Sequence, residues 1–243
     1  AVIVWGASFI ATKVALADVS PITVVWLRFG MGVVILGIAV TARKQFAIPT
    51  RNEWLYFALL GFLGITFHQW MQSTALQTSR ASTTAWLVAT TPVFMALLGW
   101  LALKEKLHWV QIGGIMLATL GVLLVVSDGD PAAISFKQFG APGDILVLIS
   151  SANWAVFSAL SRHGLKTHPP ARMMFYVMTL GWLFSSTLFF AGPGLGEIPQ
   201  LSFNGWLSVA FLGIFLGQVT GNVYFDGLAS ILIGVILALT AVW

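Results

Sequence analysis

Nine stretches of roughly 15 to 24 largely uncharged residues follow one another along this chain, a length that matches a membrane crossing. A bilayer core about 30 Å thick takes roughly 20 apolar residues per helix. Membrane strands would alternate in polarity, and no such alternation is present, so the spans are expected to be helices. They are placed near 1–17, 21–40, 54–76, 81–103, 108–126, 144–162, 170–190, 205–225 and 229–243. Composition agrees with a membrane solvent. Only 8% of residues are charged and mean hydropathy is +0.91, against about a quarter charged in soluble domains.

The second half repeats the first. Trp154 follows Trp5, Pro170 follows Pro21 and Phe211 follows Phe62, each by 149 residues. Five spans per copy is an odd number, so the second copy must enter the membrane from the other side. The expected fold is an all-α membrane protein of ten helices in two inverted five-helix repeats, the symmetry of alternating-access carriers. The first repeat covers 1–126, a polar linker 127–143, and the second repeat 144–243. Shifting spans four and five by 149 predicts two more helices, yet one partial span follows Leu228, so a gap is expected around Leu228–Ala229. The chain is expected to begin inside a span, with no cleavable leader. Pro21 and Pro170 suit first-turn positions, and Pro92 after Thr90 and Thr91 should kink its helix.

Basic residues set the orientation. Arg43, Lys44, Arg51, Lys104, Lys106, Arg162, Lys166 and Arg172 are eight of the twelve, all in loops after even-numbered spans. Positive-inside places those loops and the N-terminus in the cytoplasm. The spread of charge over short loops argues against nucleic acid as a partner. No cysteine, metal-ligand cluster, phosphate loop or catalytic dyad is present, so neither an enzyme nor a cofactor is expected.

The spans carry few polar groups, and these are candidates for a substrate site. His68, Gln69 and Gln72 share one helical face in span three. The 149 offset carries Gln69 onto Gln218, with Asn222 one turn on. Two such stripes would face each other in a midplane pocket, or they would be hydrogen-bonding glue between helices. Trp5 and Trp154 are repeat mates, with Ser8, Asn153 and Phe157 beside them, and could stack on an apolar group while amides and hydroxyls orient a polar one. Trp86 is a third candidate wall. Arg28, about 10 Å into span two, could attract a carboxylate, but snorkelling to the surface is the plainer expectation. No span carries a mid-membrane carboxylate, which disfavours proton-coupled export of cationic drugs. Too few basic groups are present for a sugar phosphate. A net-neutral zwitterion with an apolar group fits best, with His68 as the proton carrier if there is one.

Trp5-Gly6-Ala7-Ser8-Phe9, Leu27-Arg28-Phe29, Ala75-Leu76, Thr91-Pro92-Val93 and Leu103-Lys104-Glu105 together resemble the EamA family, as do Asn153-Trp154-Ala155 and Phe225-Asp226-Gly227-Leu228. That family is the ten-helix branch of the drug/metabolite transporter superfamily. The chain looks closest to its bacterial amino acid exporters of the YddG type. The resemblance implies a multi-pass protein of the bacterial inner membrane that exports aromatic and other neutral amino acids. An exporter of another metabolite, such as a purine, a vitamin or a drug-like compound, is the alternative, and a channel the next.

Overall fold

The computed structural model describes residues 2–104, 108–126 and 141–218, with the side chains at 2–5, 103, 125, 126 and 215–218 left aside. Every regular element among them is helical. Helices α1 (Val2–Ala15) and α2 (Pro21–Ala42) lead in, α2 opening on Pro21 after an extended Ser20. The third expected span forms in three pieces: α3 (Arg51–Gly61), a π-helical stretch Phe62–Phe67, and α4 (His68–Thr78). Its start is fixed by a capping box, in which Thr50 Oγ1 accepts from the Glu53 N–H and Glu53 Oε2 accepts from the Thr50 N–H.

The fourth span, where a kink at Pro92 is expected, is interrupted just before that proline. Helix α5 (Ala81–Val88) ends and α6 (Thr91–Leu103) begins after Thr90. Proline cannot donate to the ladder. The hydroxyls of Thr90 and Thr91 donate to the carbonyls of Leu87 (2.6 Å) and Val88 (2.7 Å) around the break. Then come α7 (Trp109–Val126), α8 (Pro142–Leu165) and α9 (Pro170–Ala191). A short α10 (Gly194–Glu197) with a 3-10 turn leads into α11 (Phe203–Gln218). Four of these runs are long and apolar enough to cross a membrane: Pro21–Ala42, Ala81–Ala102, Pro142–Leu165 and Pro170–Ala191. The expected span at 229–243 and the end of the one at 205–225 lie outside the described residues.

Two antiparallel seams organise the bundle. Along α2 and α9, Trp26 meets Ser186, Gly30 meets Trp182 and Gly37 meets Phe175. Along the α3–α4 run and α8, Tyr56 meets Leu160, Gly64 meets Phe157, His68 meets Ser150 and Thr78 meets Gly143. Helix α11 packs on α1 and α2. Lipid tails are as apolar as leucine, so close packing rather than burial from water holds such helices together. Where α3 crosses α9, a Cβ on Gly61 would lie 2.6 Å from the Val177 carbonyl oxygen and 2.7 Å from the Gly181 nitrogen.

Polar latches close both ends. At one, Lys13 Nζ donates to the Ser79 carbonyl (2.6 Å) and Ser79 Oγ to Asp144 (2.6 Å). At the same end Glu197 accepts from Ser20 and Thr23, and Asp18 accepts from the Ser202 N–H and hydroxyl. Burial tends to raise the Glu197 carboxyl, but the donors from Thr23 and Ser20 outweigh it and hold the group below the usual carboxylate range. At the other end His168 Nε2 lies 3.3 Å from Glu53, and Tyr56 donates to the Leu160 carbonyl (2.7 Å).

Candidate functional site

The polar groups expected in span three lie against α8, and the π-helical stretch is what shapes the contact. A π turn widens the helix and disturbs its hydrogen-bond ladder. The Leu63 carbonyl in that stretch accepts from Asn153 Nδ2 of α8 at 2.8 Å. Gly64 has no side chain, and a Cβ there would lie 2.5 Å from the Phe157 ring. Phe157 therefore fills the space that glycine leaves, and Asn153 ties the widened turn to α8.

From Phe157 a row of rings runs through the seam. Phe157 and Trp154 have ring centroids 4.8 Å apart, and Trp154 and His68 4.7 Å apart, both pairs tilted by about a third of a right angle. His68 is 5% exposed, and its Nδ1 lies 2.9 Å from the Ser150 carbonyl oxygen. A carbonyl only accepts, so Nδ1 carries the hydrogen and Nε2 is the acceptor of the neutral ring. The hydroxyls of Ser150 and Ser151 both donate to the Val147 carbonyl, at 2.8 and 2.9 Å, so they are committed to their own helix.

Two buried groups, one on the helix of His68 and one on α2, which packs on that helix, are unsatisfied. Gln69 Oε1 has no donor, and Arg28 Nε has no acceptor. Gln72 is buried one turn beyond His68. Leaving such a group unpaired costs about 1–3 kcal/mol, more when charged. Arg28 is only 6% exposed, with its guanidinium carbon 5.2 Å from the Phe29 ring centroid. It does not snorkel, contrary to the plainer expectation. The readable signal was its place on the buried stripe of α2, between Val24, Val25 and Gly32.

Of the residues singled out in the sequence, the structure thus joins His68, Trp154, Phe157 and Asn153 in one seam, with Gln69 and Gln72 buried on the same helix as His68. Ser8 is buried on α1, which packs on α4. Trp86 is 66% exposed and forms no wall of the seam: its partners Leu87 and Val88 take the inward face of α5. Thr90, on the same span, bonds its own helix backbone. Trp5 and Gln218 lie on helices α1 and α11, but their side chains, and all of Asn222, fall outside the description.

The family model described as the EamA-like transporter family matches the chain in two stretches, residues 1–127 and 141–243. An uncharacterized transporter of Archaeoglobus fulgidus is 29% identical over 75% of this chain and 62% of its own length. The inner membrane transporter YedA of Escherichia coli is 28% identical over 91% of this chain and 70% of its own. A relative in Chlamydia muridarum named as an S-adenosylmethionine/S-adenosylhomocysteine transporter is 26% identical over 65% of this chain and 52% of its own. The chain thus spans about two thirds or less of the length of these relatives. A crystal structure aligns over 99% of this chain and 85% of its own with TM-score 0.53 and 18% identity, which bears on fold alone.

Proposed function

The chain belongs to the EamA-like transporter family, and from that premise we propose that it exports neutral amino acids, aromatic ones above all, by alternating access. The observation that carries this reading is the row Phe157–Trp154–His68, with Trp154 half-buried between two buried rings, and an amide oxygen without a donor on the helix of His68. Flat rings in a row offer a face to an apolar side chain, and the unpaired amide oxygen offers an acceptor to an ammonium. Among the described residues, no helix carries a carboxylate beyond its first turn, which suits a neutral substrate better than a cation.

The rocking unit in this reading is a ten-helix fold of two inverted repeats, 1–126 and 144–243, joined by 127–143. Three observations support it. The repeat mates α2 and α9 pack antiparallel, as an axis in the membrane plane requires. The contact of α3 and the π-helical stretch with α8 has its counterpart, under the same shift of 149, in the contact of α11 with α1. The family also matches in two stretches. The N-terminus is cytoplasmic in this reading. The Glu53–His168 pair and the bond from Tyr176 to the Ala47 carbonyl gather the basic loops at 43–51 and 162–172 at one end, which suits the positive-inside rule. The relative YedA carries an inner membrane name, which supports the same location here.

Proteoliposomes loaded with a panel of amino acids, nucleosides and cations test the substrate. Saturable counterflow of phenylalanine is expected, and flux of cations alone would remove the reading. The chlamydial relative favours one second reading, export of a nucleoside-bearing metabolite. In the same panel it would appear as counterflow of such compounds without phenylalanine.

A further inference from the structure

Arg28 is the one charged side chain held in the centre of the described bundle. It lies seven residues beyond Pro21, about 10 Å down α2 at 1.5 Å per residue. On that helix Val25 and Phe29 belong to one hydrophobic cluster and Val24 to another, so Arg28 points between the two. Nothing local stabilises a cation here. The nearby helix end is the α2 N-terminus, which disfavours positive charge, and the Phe29 ring is the only described group set against it.

Among the described residues no carboxylate is left to pair with it. Those at the same end are engaged: Asp18 with Ser202, Asp144 with Ser79 and the Ala141 N–H, and Glu197 with Ser20 and Thr23. The Nε hydrogen is fully enclosed and has no acceptor. An ion kept without a counter-ion in a membrane interior is a strong sign of a ligand.

We propose that Arg28 reads the carboxylate of the substrate, so that the substrate class is an organic acid or amino acid whose apolar part lies along the Phe157–Trp154–His68 row. This rests on the seam being the transport site. A guanidinium presents a planar fork of donors that matches a carboxylate in two parallel hydrogen bonds. The incoming carboxylate supplies both the missing acceptor and the missing charge. Gln69 Oε1, the unpaired acceptor on α4, suits an ammonium on the same substrate.

Ligand-induced thermal shifts of the purified chain in detergent test the idea with phenylalanine, 3-phenylpropionate, phenylalaninamide and inorganic phosphate. Both carboxylates should stabilise the wild type, while the amide and phosphate should do so weakly. Arg28→Gln should weaken both carboxylates roughly 10- to 100-fold and leave the amide unchanged. Arg28→Lys should fall between, because an ammonium lacks the fork. Unliganded Arg28→Gln should melt no lower than wild type, since it removes an unpaired buried charge. The proposal is overturned if Arg28→Gln leaves carboxylate binding intact, or lowers all ligands together with the melting temperature. It is equally overturned if phosphate replaces the carboxylates as the Arg28-dependent ligand, or if no carboxylate, aliphatic and nucleoside-bearing acids included, stabilises the wild type. Arg28-dependent carboxylate binding without amino acid counterflow would keep this inference and remove the amino acid reading.

Discussion

The α2–α9 seam and the seam between the α3–α4 run and α8 are both antiparallel, both rich in tryptophan and both cut by glycine, yet they are finished differently. Between α2 and α9, Trp26 stacks on Phe189 with centroids 4.1 Å apart and an interplanar angle of 6°. Its indole N–H donates to Ser186 Oγ at 2.9 Å, and the indole of Trp182 donates to the Trp26 carbonyl at 3.0 Å. Both polar handles are used. Where the α3–α4 run meets α8, Trp154 lies tilted against the His68 imidazole, a π-helical stretch interrupts the facing helix, and on that helix the buried Gln69 amide oxygen has no donor. The first seam is a finished interior; the second has capacity left over. Tryptophan alone does not mark a binding site in a membrane protein, but tryptophan beside unsatisfied polar atoms does.

If that contrast is right, the seams should respond differently to truncation. Phe189 is fully buried against Trp26, and Phe189→Ala should cost about 3 kcal/mol of stability, seen as a large fall in Tm. A small fall would mean that the α2–α9 seam is not the rigid one. Asn153→Ala comes next. It removes the donor to the Leu63 carbonyl and should cost about 1 kcal/mol, with faster hydrogen exchange in 62–67. Unchanged exchange there would show that the π-helical stretch holds its shape without α8.

Glu197→Gln should have the smallest effect, and one that depends on pH. The carboxyl is held below its usual range in the folded chain, so its contribution is present above the unfolded value and is lost as pH falls through the lower, folded one. The difference in Tm between Glu197→Gln and wild type should therefore shrink in acid. A difference constant with pH would place the effect in packing rather than in charge.

Much of this fold was legible, and the failures have physical causes. Charge-free runs and first-turn prolines located the helices through 218, because the length of a crossing and the missing proline N–H are local facts. The π-helical stretch was not legible: Phe62–Phe67 reads as ordinary apolar helix, and its shape is bound up with Asn153 and Phe157, some 90 residues away. Trp154, Phe157, His68 and Asn153 stood out in the sequence because polar and aromatic groups are conspicuous among aliphatic ones, and the structure brings them into one seam. Trp86 was misread because spacing along a helix gives the face but not which face is inward. Arg28 was misjudged because its distance from the helix end was weighed and its place on the buried stripe was not.

The central claim is that the α8 seam is where substrate is carried and the α2–α9 seam is only structure. Counterflow of labelled phenylalanine against alanine in proteoliposomes tests it with Trp154→Ala and Trp26→Phe side by side. Stacking adds roughly 0.5–1.5 kcal/mol beyond area burial, so Trp154→Ala should lower phenylalanine counterflow about 2- to 10-fold relative to alanine. Trp26→Phe should leave that ratio unchanged, whatever it does to Tm. Equal loss of both substrates in Trp154→Ala, or a shifted ratio in Trp26→Phe, would contradict the account.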